Sequence, residues 1–357
     1  MSTSSQSYPM SGGDDKHSYI HNSSYQKAGI DGVQEKARQY ILKNLDLLNM
    51  NPNLSTFTIA DFGCSIGPNT FHAVQNIIDI VKLKESQENR FVPLEFQVYF
   101  NDLPNNDFNT LFRTQPPSSG QEYFSVGVPG SFYGRVLPRN SIHIGNTSFT
   151  THWLSKVPEE VCDKKSPAWN KNYIHCNDLI EEVTEAYKVQ FTKDMRVFLK
   201  ARAEELVAGG LMIALGQCLP DGVAMYETWP GIVKDTIGDC LQDMATLGLT
   251  TEEKIEMFNL PVYFPQSSEL KGAIEQNKSF TIEMMEIVSH PLEAMQLSNN
   301  FVTSMYRAIL STVIEEHFGD SVVDELFRRF AEKLSKHPID FEKCKKQMVY
   351  HIVLKRK

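Results

Sequence analysis

The sequence is poor in cysteine and lacks any long apolar run. It has 6 cysteines in 357 residues, at positions 64, 162, 176, 218, 240 and 344, and none of them forms a Cys-x-x-Cys pair. A large chain with few thiols and no apolar leader is typical of a cytosolic protein, in which the thiols stay reduced. We therefore expect a cytoplasmic location. No stretch of about twenty apolar residues is present, which argues against a membrane partner.

The chain also lacks a basic stripe. Its formal net charge is -9, and no basic cluster stands out beyond the short tail Lys355-Arg-Lys357. Nucleic-acid binding needs a basic face opposite the phosphates, so the composition argues against a nucleic-acid partner and favours a small substrate. The first residues, Met1 to Lys16, are polar and rich in serine and glycine. We therefore predict a disordered segment over residues 1–18.

The most informative segment is a strand that leads directly into a glycine-containing turn and a helix. It runs from Phe57 to Thr70, with Asp61 at the strand end and Gly63 and Gly67 in the turn. Such a turn brings the backbone close to a nucleotide cofactor, although a tight turn without a ligand is the alternative. The dinucleotide fingerprint needs a glycine where Ser65 stands. S-adenosylmethionine has no pyrophosphate and does not need that glycine.

Two further strand ends offer groups that suit a nucleoside. The run Leu94 to Phe100 is followed by Asp102, whose carboxylate can accept both ribose hydroxyls. The run Tyr123 to Val128 is followed by Ser131 and Phe132, which offer a hydroxyl and an aromatic face beside an adenine. Taken singly, Asp102 reads equally well as a cap or turn residue and Phe132 as a core aromatic.

Strand signals alternate with helical periodicity, which predicts an α/β fold with a mostly parallel, doubly wound sheet. Helices are predicted at 33–47, 70–84 and 194–207, and Asn69 or Thr70 can cap the second of them. Further strands are predicted at 141–145, 210–216 and 348–354. We predict a cofactor-binding core over residues 19–218 plus 340–357, and a mainly α-helical substrate cap inserted over 219–339.

Four irregular motifs resemble the plant salicylic acid, benzoic acid and theobromine (SABATH) methyltransferase family. They are Asp61 to Asn69, Phe100 to Asn109, Gly127 to Arg135 and His152 to Pro158. The resemblance extends from about Tyr19 to the C-terminus. The local sequence is similar to that of the paraxanthine-methyltransferase-like branch. It implies a Rossmann-like class I enzyme of plant secondary metabolism that transfers methyl groups from S-adenosylmethionine (EC 2.1.1). We also expect a homodimer.

The resemblance implies roles for individual residues. The cofactor would be surrounded by ten of them: Tyr19, Gly63, Cys64, Asn69, Asp102, Leu103, Ser131, Phe132, Ser148 and Phe149. The acceptor would meet five: Tyr19, Gln26, His152, Trp153 and Trp229. Family members commonly have Tyr where Phe149 stands, so any polar contact made there is in doubt. For Trp153 and Trp229 the alternative is a core tryptophan, and for His152 a residue at a helix start.

Methyl transfer to a carboxylate needs no catalytic acid or base. A carboxylic acid has an intrinsic pKa near about 4 and is already the nucleophile at cellular pH. The protein must mainly position it, with the oxygen roughly 3 Å from the methyl carbon and opposite the sulfonium. The amide of Gln26, a ring N–H of His152 and the indole N–H of Trp153 are donors that a carboxylate can accept from.

Some family members carry a magnesium ion near the active site. The matching positions here are Asn170, Glu256, Phe258 through its carbonyl, and Asn259. Oxygen donors of this kind suit a hard cation, but Glu256 replaces the more usual Asp. A functional ion, a structural ion and no ion all stay open.

Three functions compete at this point. The first is a methyltransferase acting on the carboxylate of a small plant metabolite. The second is an N-methyltransferase acting on a paraxanthine-like xanthine, which the His152-Trp153 pair also suits. The third is a non-catalytic cofactor-binding protein, which only the departures at Phe149 and Glu256 favour.

Overall fold

Seven strands and ten α-helices make up the described part of the chain. The computed structural model describes residues 8–90, 92–116, 122–290, 297–342, 344 and 347–357. The strands are β1 Thr56–Phe62, β2 Glu95–Asp102, β3 Phe124–Pro129, β4 Ile142–Ser148, β5 Leu206–Cys218, β6 Phe280–Ser289 and β7 Met348–Arg356. The helices are α1 Ser24–Asn44, α2 Leu47–Met50, α3 Pro68–Gln87, α4 Phe108–Thr114, α5 Glu181–Glu205, α6 Trp229–Thr246, α7 Glu252–Glu256, α8 Ser267–Glu275, α9 Asn299–Phe318 and α10 Asp320–Lys336.

The strands form one sheet in the order β3-β2-β1-β4-β5-β7-β6. Strands β1 to β5 are parallel, and β7 is antiparallel to both of its neighbours. This confirms the predicted mostly parallel, doubly wound sheet. The strand order reverses at β1, which pairs with β2 on one side and β4 on the other. In such sheets the ligand crevice lies outside the carboxyl ends of the strands at this reversal.

The central strands are buried on both faces, which explains their nearly continuous apolar sequences. On one face Ile352 and Leu354 of β7 pack in the same cluster as Phe191 and Phe198 of α5. On the other face Val353 belongs to a cluster with α1 and α3. The alternation along β7 follows from the period of two in a strand.

A third cluster joins α6, α9 and α10 beyond the sheet. Helix α10 is strongly amphipathic and buries Leu326, Phe327, Phe330 and Leu334 on one face. These side chains pack with residues of α6 and α9, and Val233 of α6 is one of them. The same cluster includes residues of α1 near the sheet. Helices α6, α9 and α10 of the predicted cap therefore share an apolar core that reaches the sheet, whereas α8 packs in the cluster that contains α5.

One sequence-based prediction needs correction and another is extended. The cap over 219–339, predicted to be mainly helical, also contains strand β6, which joins the edge of the main sheet beside β7. Within the segment predicted to be disordered, residues 8–18 pack on the protein: the Ser11 N–H donates to the Ala308 carbonyl at 3.0 Å, and Tyr8 contacts the third cluster. Residues 1–7 lie outside the described part of the chain. The boundaries of the core and the cap stay a prediction.

Among the described helices, none is both long enough and apolar enough to cross a membrane.

Candidate functional site

A cavity of about 670 Å³ lies at the carboxyl edge of the sheet. Its wall includes a residue at or just after the end of each of β1, β2, β3 and β4. A smaller cavity adjoins it and shares Tyr19, Gly63, Ser65 and Ser148. The ten predicted cofactor residues all line one or both cavities: Tyr19, Gly63, Asp102, Leu103, Ser131, Phe132, Ser148 and Phe149 the larger, and Cys64 and Asn69 the smaller.

The turn after β1 requires glycine at its first position. Gly63 has a φ of 79°, and a Cβ there would lie 1.9 Å from Cγ2 of Thr150. The backbone N–H groups of Gly63 and Cys64 both donate to the Asn101 carbonyl, at 2.8 and 3.0 Å. Only a residue without a side chain allows this left-handed turn against Thr150, so the cavity floor depends on Gly63.

The second glycine of the motif has another role than predicted. Gly67 has a φ of -101° and is the N-cap of α3, and a Cβ there would make an ordinary contact with Tyr19 at 3.6 Å. The predicted capping by Asn69 or Thr70 is wrong, because α3 begins at Pro68. The Asn69 amide instead donates to the Ser23 carbonyl at 2.9 Å and ties α3 to the start of α1.

Two carboxylates lie at the strand ends. Asp102 accepts the backbone N–H groups of Ser65 and Leu103, both at 2.7 Å, and burial raises its pKa to about 6. Asp61 accepts the Thr70 hydroxyl and the Asn146 amide, the latter at 2.7 Å. Burial, and to a lesser degree the charge of Asp102, raises the pKa of Asp61 to about 6.

These carboxylates give the cofactor side a negative potential at neutral pH. Among its described lining residues, the smaller cavity has Asp61 but no Lys or Arg. A low-dielectric cavity with this charge attracts a cationic ligand. The site therefore suits the sulfonium form of the predicted cofactor better than a pyrophosphate.

A buried ion pair holds the loop after β3. Arg202 donates to the carbonyls of Phe132 at 2.8 Å and Gly134 at 2.9 Å, while its Nε pairs with Glu205 at 2.7 Å. Both charged side chains are fully buried. Because each charge is satisfied by several hydrogen bonds, the pair fixes the loop that carries Ser131 and Phe132.

The predicted acceptor residues His152 and Trp153 are fixed through their backbone. The Trp153 N–H donates to the Thr150 carbonyl at 3.0 Å, and the Trp153 carbonyl accepts the hydroxyl of Tyr133. The Tyr263 N–H donates to the His152 carbonyl at 2.9 Å. Trp153 lines the larger cavity, whereas His152 is buried and is not among the residues that line it.

The His152 imidazole is neutral at physiological pH. Burial, together with the positive charge of Lys234, lowers its pKa to about 3. Its ring meets Phe264 edge to face at 5.3 Å between ring centres, and its Nδ1 has no hydrogen-bond partner among the described residues. A neutral imidazole with a free nitrogen can donate to a ligand, but with so low a pKa it is a weak base.

Gln26 and Trp229 are the remaining predicted acceptor residues. Gln26 lines the smaller cavity, and its buried Oε1 has no partner in the described part of the chain. Trp229 begins α6 and packs edge to face on Tyr25 at 5.9 Å. It lines neither of the two cavities, so the core interpretation of Trp229 is the one its contacts favour.

The Phe149 ring occupies space that a glycine leaves open. A Cβ at Gly29 would lie 2.4 Å from Cζ of Phe149, and Phe149 itself has a φ of 57°. Tyr25 meets the Phe149 ring at 5.9 Å between ring centres. The Phe149 side chain is therefore tightly packed between the cavity and α1.

The predicted magnesium ligands do not form a cation site. Asn170 donates to Oδ1 of Asn259 at 2.7 Å, and the Glu256 carboxylate pairs with the Lys164 ammonium. The buried Oδ1 of Asn170 has no partner among the described residues, but a single carboxylate that lysine already neutralises, beside an amide oxygen that already accepts a hydrogen bond, is a poor donor set for a divalent ion. Phe258 is buried against Phe318 in the same region.

Sequence reasoning missed two parts of the site. Tyr8, Pro9 and Met10 line the larger cavity, although their polar, glycine-rich surroundings suggest disorder. Lys234 is buried on α6 close enough to His152 to lower its pKa. The sequence of α6 carries a weak signal for this residue, since Val233 and Ile237 mark the adjacent positions as buried.

A family model, two relatives and a solved structure each match nearly the whole length of this chain. The model of the SAM-dependent carboxyl methyltransferase family matches residues 5–357. A probable S-adenosylmethionine-dependent methyltransferase of Arabidopsis thaliana is 92% identical over 361 residues, covering 100% of both chains. Paraxanthine methyltransferase 2 of the same plant is 43% identical, covering 99% of each. A solved loganic acid methyltransferase with SAH has a TM-score of 0.92 at 43% identity, covering 98% of this chain and 99% of that one.

Proposed function

The chain belongs to the SAM-dependent carboxyl methyltransferase family, the SABATH family that its motifs resemble, and we propose that it methylates the carboxylate of a small plant metabolite. It is an S-adenosylmethionine-dependent methyltransferase. The family match extends from residue 5 to the C-terminus. The non-catalytic alternative is therefore not favoured.

The cavity residues fit the cofactor. Asp102 offers a carboxylate at a strand end for the ribose, and Ser131 and Phe132 stand on a rigid loop for the base. Bound S-adenosylmethionine supplies an electrophilic methyl group on a sulfonium. Gly63 keeps the floor open, while Asp61 and Asp102 give the site a charge opposite to that of the sulfonium.

The observation that carries the carboxylate assignment is the fixed donor at the cavity wall. Trp153 lines the same cavity as the predicted cofactor residues and is anchored on both sides of its peptide. An indole N–H can only donate, so it suits an anionic oxygen rather than a group that must lose a proton. His152, held neutral by burial, is too weak a base to remove such a proton.

The test is the chemical identity of the product. Purified protein is incubated with S-adenosylmethionine labelled in its methyl group and with benzoic acid, loganic acid or paraxanthine. Label recovered as a methyl ester of an acid supports the proposal. Label recovered only on a ring nitrogen would refute it.

A xanthine is the second candidate acceptor, because paraxanthine methyltransferase 2 is a relative at 43% identity. Methylation at nitrogen would require loss of the nitrogen-bound proton. The rate would then rise with pH through the pKa of that group, whereas a carboxylate acceptor is fully ionised above about pH 6. A flat rate above that pH, after correction for KM, supports the carboxylate.

Magnesium takes no part in this proposal, since Lys164 already neutralises Glu256. A homodimer and a cytoplasmic location stay predictions, supported by the family resemblance and by the six thiols without a paired motif. Light scattering on the purified protein tests the first, and a fluorescent fusion in plant cells tests the second.

A further inference from the structure

Lys234 is a buried lysine without a partner. It lies on α6, is 4% exposed, and its Nζ has no hydrogen-bond partner among the described residues. The nearest aromatic ring is that of Phe264, whose centre is 4.4 Å from Nζ. A buried ammonium that has only a ring face to interact with is costly to fold, so its presence calls for an explanation.

The nearby carboxylates are committed to other groups. Asp235 accepts from His175 Nε2 at 3.0 Å, and Asp178 accepts the Met225 N–H at 2.7 Å and the Thr184 hydroxyl at 3.2 Å. The other titratable groups that face Lys234 are the Cys176 thiol, His175 and His152. Burial lowers the pKa of Lys234 to about 7, against the smaller opposing effects of Asp235, Cys176 and Asp178.

The Phe264 ring connects Lys234 to the acceptor side of the site. The same ring that lies under the ammonium meets His152 edge to face, and the buried Nδ1 of His152 also lacks a partner in the described part of the chain. The next residue, Trp153, lines the cavity. Two polar groups without a hydrogen-bond partner therefore lie against one ring, and one of them belongs to the residue that precedes Trp153.

We propose that Lys234 is a specificity-determining residue whose ammonium, together with His152, binds the carboxylate of the acceptor and selects acids over neutral molecules. This inference rests on the proposed carboxyl methylation. The bound anion supplies the direct hydrogen-bond partner that the Lys234 ammonium lacks among the described residues. Methylation removes the charge of the acceptor, so the neutral ester loses its attraction to Lys234 and dissociates more readily.

The variant Lys234→Met tests this role, because it keeps the length of the side chain and removes the charge. Binding of loganic acid, benzoic acid and the methyl ester of each is measured by calorimetry with the protein saturated in S-adenosylhomocysteine. In the wild type we expect at least one acid to bind about tenfold or more tightly than its ester. In Lys234→Met the acid should lose this advantage, while the affinity for the ester stays the same.

The pH dependence provides a readout that a packing role would not affect. As pH rises from about 6 to about 8, free Lys234 loses its proton, and acid binding to the wild type should weaken by up to about tenfold. Lys234→Met should show no such change. Burial keeps the pKa of His152 at about 3, so this imidazole stays neutral over the range and does not produce the change.

Controls separate this role from the fold and from the proposed function. Lys333→Met removes a lysine that pairs with Asp239 and Asp243 of α6, and should leave acid binding unchanged. Lys234→Met should melt at the same temperature or higher, since replacing a buried charge by an apolar group is often neutral or stabilising. If Lys234→Met does not fold, Lys234→Gln takes its place.

Two results would overturn the proposal: a wild type with no preference for either acid over its ester, or a Lys234→Met protein that keeps the preference. If that variant also lost only paraxanthine methylation, Lys234 would be a base instead. Failure of the proposed function looks different. There, acids would bind in a Lys234-dependent way but receive no label.

Discussion

Replacing Asp102 by alanine should weaken cofactor binding without unfolding the protein. In the structure the two carboxylate oxygens accept the N–H groups of Ser65 and Leu103, and the side chain lines the larger cavity. Burial raises the pKa of Asp102 to about 6, so at neutral pH its ionised form costs stability rather than adding to it. The two N–H groups can bond to water in the cavity once the carboxylate is gone.

The expected loss follows from the bonds that the carboxylate would make to the ribose. Two charge-assisted hydrogen bonds correspond to roughly 1.5 to 3 kcal/mol, or about ten- to two-hundredfold in affinity. Asp102→Asn should lose less, because its amide oxygen can still accept one bond. Lowering the pH from about 7 to about 5 should weaken binding to the wild type by about tenfold, since the carboxylate takes up a proton near pH 6.

Calorimetry of S-adenosylmethionine binding measures these affinities. The exposed Asp79 on α3 provides a matched control, and Asp79→Ala should bind as the wild type does. The pH dependence between about 7 and 5 should become smaller in Asp102→Asn, and the part that remains is due to Asp61. Unchanged affinity in a folded Asp102→Ala protein would remove Asp102 from the cofactor site.

Further predictions concern packing, acceptor binding, metal and cofactor choice. Trp153→Phe keeps most of the apolar volume but removes the indole donor, so activity should fall about ten- to a hundredfold with cofactor binding unchanged; normal turnover with a lowered melting temperature would make Trp153 a packing residue. Gly63→Ala should destabilise the fold by about 1–3 kcal/mol in thermal unfolding, because of its left-handed backbone and the clash with Thr150; an unchanged melting temperature would contradict this. Treatment with a chelator should leave activity intact, and a loss that added magnesium restores would show that Lys164 does not replace the ion. NAD should not raise the melting temperature, whereas a clear rise would indicate a dinucleotide site.

Strands that are buried on both faces could be predicted from their apolar runs, as for β1, β5 and β7. Strand β2 is buried mainly on one face and was predicted from its β-branched and aromatic residues. Strand β6, which pairs with β7 at the sheet edge, was missed because charged residues interrupt its apolar pattern. Its sequence mixes apolar residues with Glu283 and Glu286, and the latter pairs with Lys36 of α1, a contact that no local pattern reveals.

The residues on the cofactor side of the site could also be predicted from the sequence, because they follow strand ends within a few positions. The residues on the acceptor side could not all be predicted in this way. Lys234 stands between Val233 and Asp235 in an amphipathic helix, where a lysine usually reaches solvent, and only the packing of α6 against the segment around Phe264 buries it. Residues 8–10 line the cavity because Ser11 bonds to Ala308, nearly three hundred residues away in sequence.

The position of the transferred methyl group tests the central claim most directly. An acid accepted by the protein is prepared with ¹⁸O in both carboxyl oxygens, and the methylated product is analysed by mass spectrometry before and after mild alkaline hydrolysis. We predict a base-labile methyl ester that retains both ¹⁸O atoms, because a carboxylate oxygen itself forms the bond to the methyl carbon. A product that resists hydrolysis, or methylation confined to the nitrogen of a xanthine, would contradict the account.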